Sequence, residues 1–547
     1  MRNLLPLSAG FVLLVATAAC ETGPGEAKDP PILRITSPAR GLLQDHAGQV
    51  MVRGTVEPNA KGDPIEKVLV NNVQAQLQPD GTFSATIDVP EGATLIQTVA
   101  RDTSGTTATD TRAVQAGQLR PVGMNIPSAV TAAISADSFA KISAAAGPFL
   151  KSLRMTTLLA PLQPMVHIGS DGDSTYAQAF IDDLTFSDIK IALKPVQGGL
   201  TFNAEIDQLD VPGHARYALL FIPHSNTFRI TADKITIAGT LSVTPNGMAG
   251  FTSKLANPKV LVTNFHLEAS GLPGDILELL HLDSAIQSII PVAAALAMNP
   301  LMNQALGALA GPQELDVLGK KLTLQVAPST LAFDPTGALV AINMKVLLAG
   351  SESSRGFLFT ANGAPAMDPS HGFQIGLADD LANEVLAEAQ AAGVLDLTIP
   401  ESVGAFDAAQ LHMTLPPMIS ADAGDGQLRL VLGDMLATFT SHGAPMARAA
   451  ISATLDLQVS PLPNGTSVAV QLGTPELHVD PIDDLANLTG LDDKTLANAT
   501  TAVLAAQVAS ISKLLVAIPI PAVAGLQVRD LSIGSDSGYV MVKGAFQ

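Results

Sequence analysis

Tryptophan is absent from the 547 residues, tyrosine occurs three times, and cysteine once, at Cys20. One cysteine allows no internal disulfide and no cysteine-ligated zinc site. It also leaves no cysteine nucleophile in the body of the chain. So few large aromatics leave no platform for a sugar-cleaving cleft, which also needs paired carboxylates. Basic charge is scarce: 30 Lys and Arg stand against 50 Asp and Glu, a formal net charge of −20. That excludes nucleic-acid binding through a broad basic surface. It also argues against docking on anionic lipid by electrostatics alone. Charged residues make up 15% and hydrophobic residues 47%. Average usage is nearer ~25% charged, so the chain is neither disordered nor coiled-coil. Its length allows roughly three to five domains.

Catalytic signatures are missing as well. Gly534-Ser535-Asp536-Ser537-Gly538 carries Asp where a nucleophile elbow needs Ser, and reads as a hairpin turn. Asp171-Gly172-Asp173-Ser174 has Tyr176 where a calcium loop needs glycine. The ten histidines are scattered without zinc spacing. Glu314 stands where a phosphate loop ending at Gly319-Lys320 requires glycine. Of the acidic pairs Asp182-Asp183, Asp379-Asp380 and Asp483-Asp484, the last two sit where helix starts or loops are expected. Asp80, Asp102 and Asp110 read as turn formers rather than calcium ligands. No enzymatic activity, cofactor or metal is expected.

The N-terminus carries the sharpest short signal. Arg2 is followed by a mostly apolar run, Leu4 to Ala16, and then small residues. That is a secretory signal, too short to span a bilayer in the mature chain. Thr17-Ala18-Ala19-Cys20 resembles a bacterial lipobox. The resemblance implies cleavage after residue 19 and acylation of Cys20, a firm membrane anchor at ~0.8 kcal/mol per buried CH₂. Glu21 follows, not the Asp that resembles an inner-membrane retention signal, so the outer membrane is the expected location. Residues 20–31 form a polar Gly/Pro tether.

From Ile32 to Ala116 short strands with a period of two alternate with turns such as Pro79-Asp80-Gly81 and Asp102–Gly105. This predicts a β-sandwich over residues 32–116. The phrase DGTFSA and the later A-x-D-x-x-G resemble bacterial Ig-like domains, which usually act as spacers. From about Val122 the texture becomes helix–strands–helix, twice over. Helices are predicted over Ser128–Arg154, from Asp275 past Leu296, through Leu377, Leu381 and Val385 to Gly393, and after Asp492, the pattern recurring from Phe373. Asp275 and Glu278 are spaced as a capping box. The apolar run 289–298 holds only ten residues and a proline, so it is not a membrane span.

Three segments resemble the bactericidal/permeability-increasing protein family of the tubular lipid-binding superfamily. They are GLADDLANEVLAEAQAAGVLDLTIP at 376–400, LLVAIPIPAVAGLQVRDLSIGSDSGYVMVKGAF at 514–546, and VAPSTLAFDPTGALVAINMKVLLAG at 326–350. The resemblance implies an α+β chain of two tandem lobes, at 124–320 and 373–547. Each lobe would be a curved antiparallel sheet wrapped around a long helix. A central segment, 321–372, would contribute the joining sheet. It also implies apolar slots for phospholipid, with Ile134, Ile142 and Phe149 as candidates in one lobe and Leu504, Val508 and Ile511 in the other. Membrane lipids are the expected partners, through the slots and the acyl anchor. Two family features are missing. The first-lobe disulfide cannot form, and Lys190 and Lys194 are too few for a basic tip that binds endotoxin by charge. Residue pattern alone leaves open whether the lobes hold lipid or are solid, the second case suiting a structural or adhesive surface protein.

Overall fold

Strict alternation of apolar and polar residues puts one face of a strand in a core, and most of this chain follows that rule. The computed structural model describes residues 29–546 except 61, 171–172, 247–249, 270, 307–312, 318, 361–362, 371, 400–405, 422–427, 462–466, 483–497, 502, 505–506, 508–517 and 520–527. The described chain is mostly strand, in several sheets, and divides into two compact units. The smaller comprises residues up to Ser37, Met51–Ala85 and Thr98–Asp110. The larger comprises Pro38–Val50, Thr86–Gln97 and everything from Thr111 onward.

In the smaller unit Ile32–Ser37 pairs antiparallel with the strand that ends at Glu57, Arg34 opposite Thr55. Gly54 is required here, because a Cβ would lie 2.7 Å from the Phe83 ring. Strand Ile65–Val70 pairs with residues up to Asp102, burying Val68, Val70 and Ala100. The expected turns form. Asp80 accepts the Thr82 N–H at 3.0 Å, and buried Asp102 accepts those of Ser104 and Thr106 at 3.0 and 2.8 Å.

Three sheets dominate the larger unit. The first runs Gln313–Val317, Lys320–Asp334, Gly337–Leu348, Asn125–Ser135, Phe373–Ala378, Tyr539–Phe546, Val528–Asp536 in spatial order. Strands Asn125–Ser135 and Phe373–Ala378 lie antiparallel at its centre, Ala132 opposite Ile375. Each leads directly into a helix, α1 (Ala136–Lys151) or α5 (Asp379–Ala391). The coarse repeat is therefore strand–helix. The helices predicted from Ser128 and Leu377 begin eight and two residues later, because Ala132, Ala133, Leu377 and their neighbours pair in the sheet. Local helix propensity is a weak prior against such pairing.

The second sheet contains the hairpin Gly199–Leu219 with Ile222–Pro245, flanked by Thr175–Ile181, Asp188–Val196 and Phe251–Thr263. Ile222–Pro245 is a single strand of 24 residues. The third sheet contains Ala408–His412, Leu428–Ser441 and Ala444–Pro461. Two cores result. One holds Phe139, Phe202, Ile235 and Phe251; the other holds Phe406, Leu430, Phe439 and Leu455.

A buried ion pair also belongs to the larger unit. Asp434, fully enclosed, accepts from Arg40 Nη1 at 2.9 Å and from the N–H groups of Gly41 and Ala113 at 2.8 and 2.9 Å. Asp480 accepts the Thr111 N–H at 3.0 Å.

Candidate functional site

Helix α1 starts where Ser135, in extended conformation, accepts the Ser138 N–H at 3.1 Å, satisfying one free helix donor. Its apolar face (Phe139, Ile142, Ala146, Leu150) is buried. Ser143 Oγ accepts the Leu193 N–H at 2.8 Å, and a Cβ on Gly147 would lie 2.4 Å from the Ile189 carbonyl oxygen. The helix therefore lies directly on strand Asp188–Val196. The short helix α2 (Met155–Leu159) follows.

The predicted second helix is two. The short α3 (Gly274–Leu280) is preceded by Pro273 and has no side-chain cap, so the Asp275/Glu278 box does not form. His281, with φ of 43°, breaks the chain before α4 (Leu282–Leu306). Asn299 and Asn303, one turn apart on α4, accept the N–H groups of Ser253 and Phe251, each at 2.7 Å. These side chains satisfy outward donors of the edge strand Phe251–Thr263, which would otherwise be a pairing hazard. No described helix is long and apolar enough to cross a membrane.

Between these helices and the second sheet lies a cavity of about 100 Å³. One wall is Leu150, Met155 and Leu159 from α1 and α2. The floor is sheet, with Ile189, Ile191, Phe202, Ile206, Ile235 and Ile237. The opposite wall is α4, with Ile290, Ala293, Ala294, Ala297 and Met298. Every lining side chain is apolar. Three of the five α4 residues that line it, Ala293, Ala294 and Ala297, are small and leave room against the sheet. Several lining residues, among them Met155, Ile189, Ile206, Ile290 and Ala294, are only half-buried, so the recess is partly open to solvent and offers an apolar guest a surface to leave water for.

The expected slot residues are placed as follows. Ile142 is enclosed in α1, Ile134 is buried on the preceding strand rather than on the helix, and Phe149 is half-buried against the same core. None of the three lines the cavity, whose α1 wall begins at Leu150. Leu504 is buried in the second core beside Val503. Val508, Ile511 and Cys20 lie outside the described residues.

Helix α5 carries a feature that the residue pattern did not single out. Asp380, Glu384 and Glu388 recur at four-residue spacing and all are buried. Each takes a backbone N–H from a different segment: Asp380 from Thr360 at 2.9 Å, Glu384 from Gly123 at 2.8 Å, and Glu388 from Leu348. Asp379 accepts the Ala421 N–H at 3.0 Å. Burial outweighs these bonds. It pushes the carboxyls of Asp380, Glu384 and Glu388 up to about 7, 8 and 7. Helix-start reasoning accounts for Asp379 and Asp380 in the first turn. The i, i+4, i+8 column was the available signal for the rest.

Residues 31–118 match the family described as glucodextranase, domain B, which fits an Ig-like β domain there. No curated protein sequence matches the chain. Among solved structures, a lipopolysaccharide binding protein is 13% identical with a TM-score of 0.35, covering 78% of this chain and 99% of that one. P47 of Clostridium botulinum E1 is 9% identical with a TM-score of 0.27, covering 78% and 100%. The N-terminal Ig1-2 module of a Drosophila receptor protein tyrosine phosphatase, DLAR, is 11% identical with a TM-score of 0.14, covering 36% and 95%. Likenesses this distant say nothing of function.

Proposed function

We propose that this chain is a non-catalytic lipid-binding protein that takes part of an acyl chain into the cavity between α4 and the second sheet. The observation that carries the reading is the cavity itself, walled by apolar side chains alone. Each methylene transferred from water into it gains about 0.8 kcal/mol. The reading extends to two tandem lobes, to anchoring through an acylated Cys20 in the outer membrane, and to passage of lipid between membranes.

The cavity volume limits how this works. Voids of roughly 150 Å³ accept benzene, so about 100 Å³ admits only a short stretch of chain unless a wall moves. Helix α4 is pinned at its C-terminal half, where Asn299 and Asn303 hold the edge strand. Its N-terminal half follows the break at His281 and includes Pro291, which lacks the N–H for a helix bond. Opening therefore starts near Ile290 and Ala294. The same small volume favours a second reading, a structural surface protein with solid lobes. Offering phospholipid vesicles to wild type and to Ala294→Leu separates the two. Lipid carriage predicts extractable lipid on wild type and little on the variant. Equal, negligible loading of both would leave the structural reading.

A further inference from the structure

The hairpin of Gly199–Leu219 and Ile222–Pro245 ends in a two-residue turn, Leu220-Phe221, closed by the pair Leu219 and Ile222. Leu220, Phe221 and Ile222 are 83%, 71% and 59% exposed, three large apolar side chains in succession. Both turn residues have positive φ, 52° and 67°. Such a turn favours Asn-Gly, and bulky side chains there are strained. The sequence thus keeps two hydrophobic residues where both backbone and solvent disfavour them, a pattern that points to function rather than folding.

The charge pattern says what the turn meets. Between Val211 and Ala232 the chain has no Asp or Glu, although 50 occur in 547 residues, and it carries Arg216, Arg229, His214 and His224. Arg229 pairs with Asp210, and His214 with Asp182. On the adjoining segment Ser174 accepts the Phe221 N–H, and neighbouring Asp173 is occupied by the Ser170 N–H. Tyr217 and His224 stack three residues behind the turn, and Tyr176 lies opposite Ala218. Tyrosine is enriched at the membrane–water boundary. A stable protein dimer needs roughly 800 Å² per partner, far more than one turn presents. A fluid bilayer conforms to a narrow tip and asks for no matching surface.

We infer that Leu220, Phe221 and Ile222 form an apolar wedge that inserts into a lipid bilayer at the headgroup–acyl boundary. The inference does not depend on the cavity holding lipid, and a different signal reads it.

The absence of tryptophan makes the test clean. In the chain from residue 20 onward, with Cys20→Ser, Phe221→Trp introduces the sole indole. With mixed phosphatidylcholine and phosphatidylglycerol vesicles, its emission should shift to the blue and be quenched by brominated acyl chains. An indole from Val73→Trp, on an exposed position, should do neither. Leu220→Asn with Phe221→Gly supplies the residues this turn prefers, so that variant should melt no lower than the parent and bind vesicles at least about ten-fold more weakly. Unshifted, unquenched emission at position 221 would overturn the wedge. So would self-association abolished by the double variant in the absence of any vesicle response. A marked fall in melting temperature of the double variant would also overturn it, by showing that the turn serves packing.

Discussion

Replacing Glu384 by Gln keeps the shape of the side chain and its capacity to accept the Gly123 N–H, and removes only the charge. In the folded protein burial holds the carboxyl up to about 8, against 4.5 ordinarily. Glu388 and Asp380 on the same helix push it up, and Lys345 and the Gly123 N–H push it down. Asp380 itself is raised by Asp379 and lowered by Arg120, while Ser351 lowers Glu388. The folded state therefore binds this proton more tightly than the unfolded chain does. Its contribution to stability is full below pH 4.5 and is lost as the pH rises to about 8. At about 1.4 kcal/mol per pH unit the span is roughly 5 kcal/mol, and relaxation with water entry trims it to about 2–4. Calorimetric melting of wild type and Glu384→Gln at pH 5 and pH 8.5 reads the difference. The two should melt nearly together at pH 5. At pH 8.5 the variant should be the more stable by about 2–4 kcal/mol. A variant equally or less stable at pH 8.5 would refute the argument that burial dominates this site.

Three further outcomes follow from the packing. Ala297→Leu places three carbons in a space that is already empty, so it should leave the melting temperature unchanged or raise it. A loss above about 1 kcal/mol would mean an overpacked site with no void. Asp434→Ala strands the N–H groups of Gly41 and Ala113 while Arg40 keeps Asp480 at 3.6 Å and the Thr111 carbonyl at 2.8 Å, and should cost about 2–4 kcal/mol in a denaturation series. Gly147→Ala sets a methyl against the Ile189 carbonyl and should cost about 1–3 kcal/mol, readable as faster amide exchange in strand Asp188–Val196.

How far the fold could be read from residues depended on how local its causes are. Turns were legible because their chemistry is local: Asp80-Gly81, Gly198-Gly199 and Ser537-Gly538 all adopt the expected reversals. Gly393, with φ of 68°, ends the turn after α5. The period-two strands at Ile189 and Ile451 were equally plain. The ends of α1 and α5 were not, because Val130–Ile134 becomes a strand by pairing with Ala338–Ile342 on one side and Phe373–Leu377 on the other, each more than 200 residues away. The cavity was illegible for the same reason. Its walls come from α1, α2, the strands after Asp188, and α4, and its cause is the position of three alanines on one helix face. Of the slot residues assigned by position, Ile142 lies eight residues before Leu150, Phe149 one before it, and Ile134 on the preceding strand. The exposed turn at Leu220-Phe221 lay inside a run that reads as continuous strand, where consecutive apolar residues suggest burial on both faces.

The central claim is that the apolar cavity takes an acyl chain. Native mass spectrometry of the chain from residue 20 onward with Cys20→Ser, after exposure to phospholipid vesicles and alongside Ala294→Leu, tests it most directly. The account predicts a bound mass that extracts as phospholipid from the parent and is diminished in the variant. A parent mass equal to the bare polypeptide would contradict it, as would lipid retained equally by both.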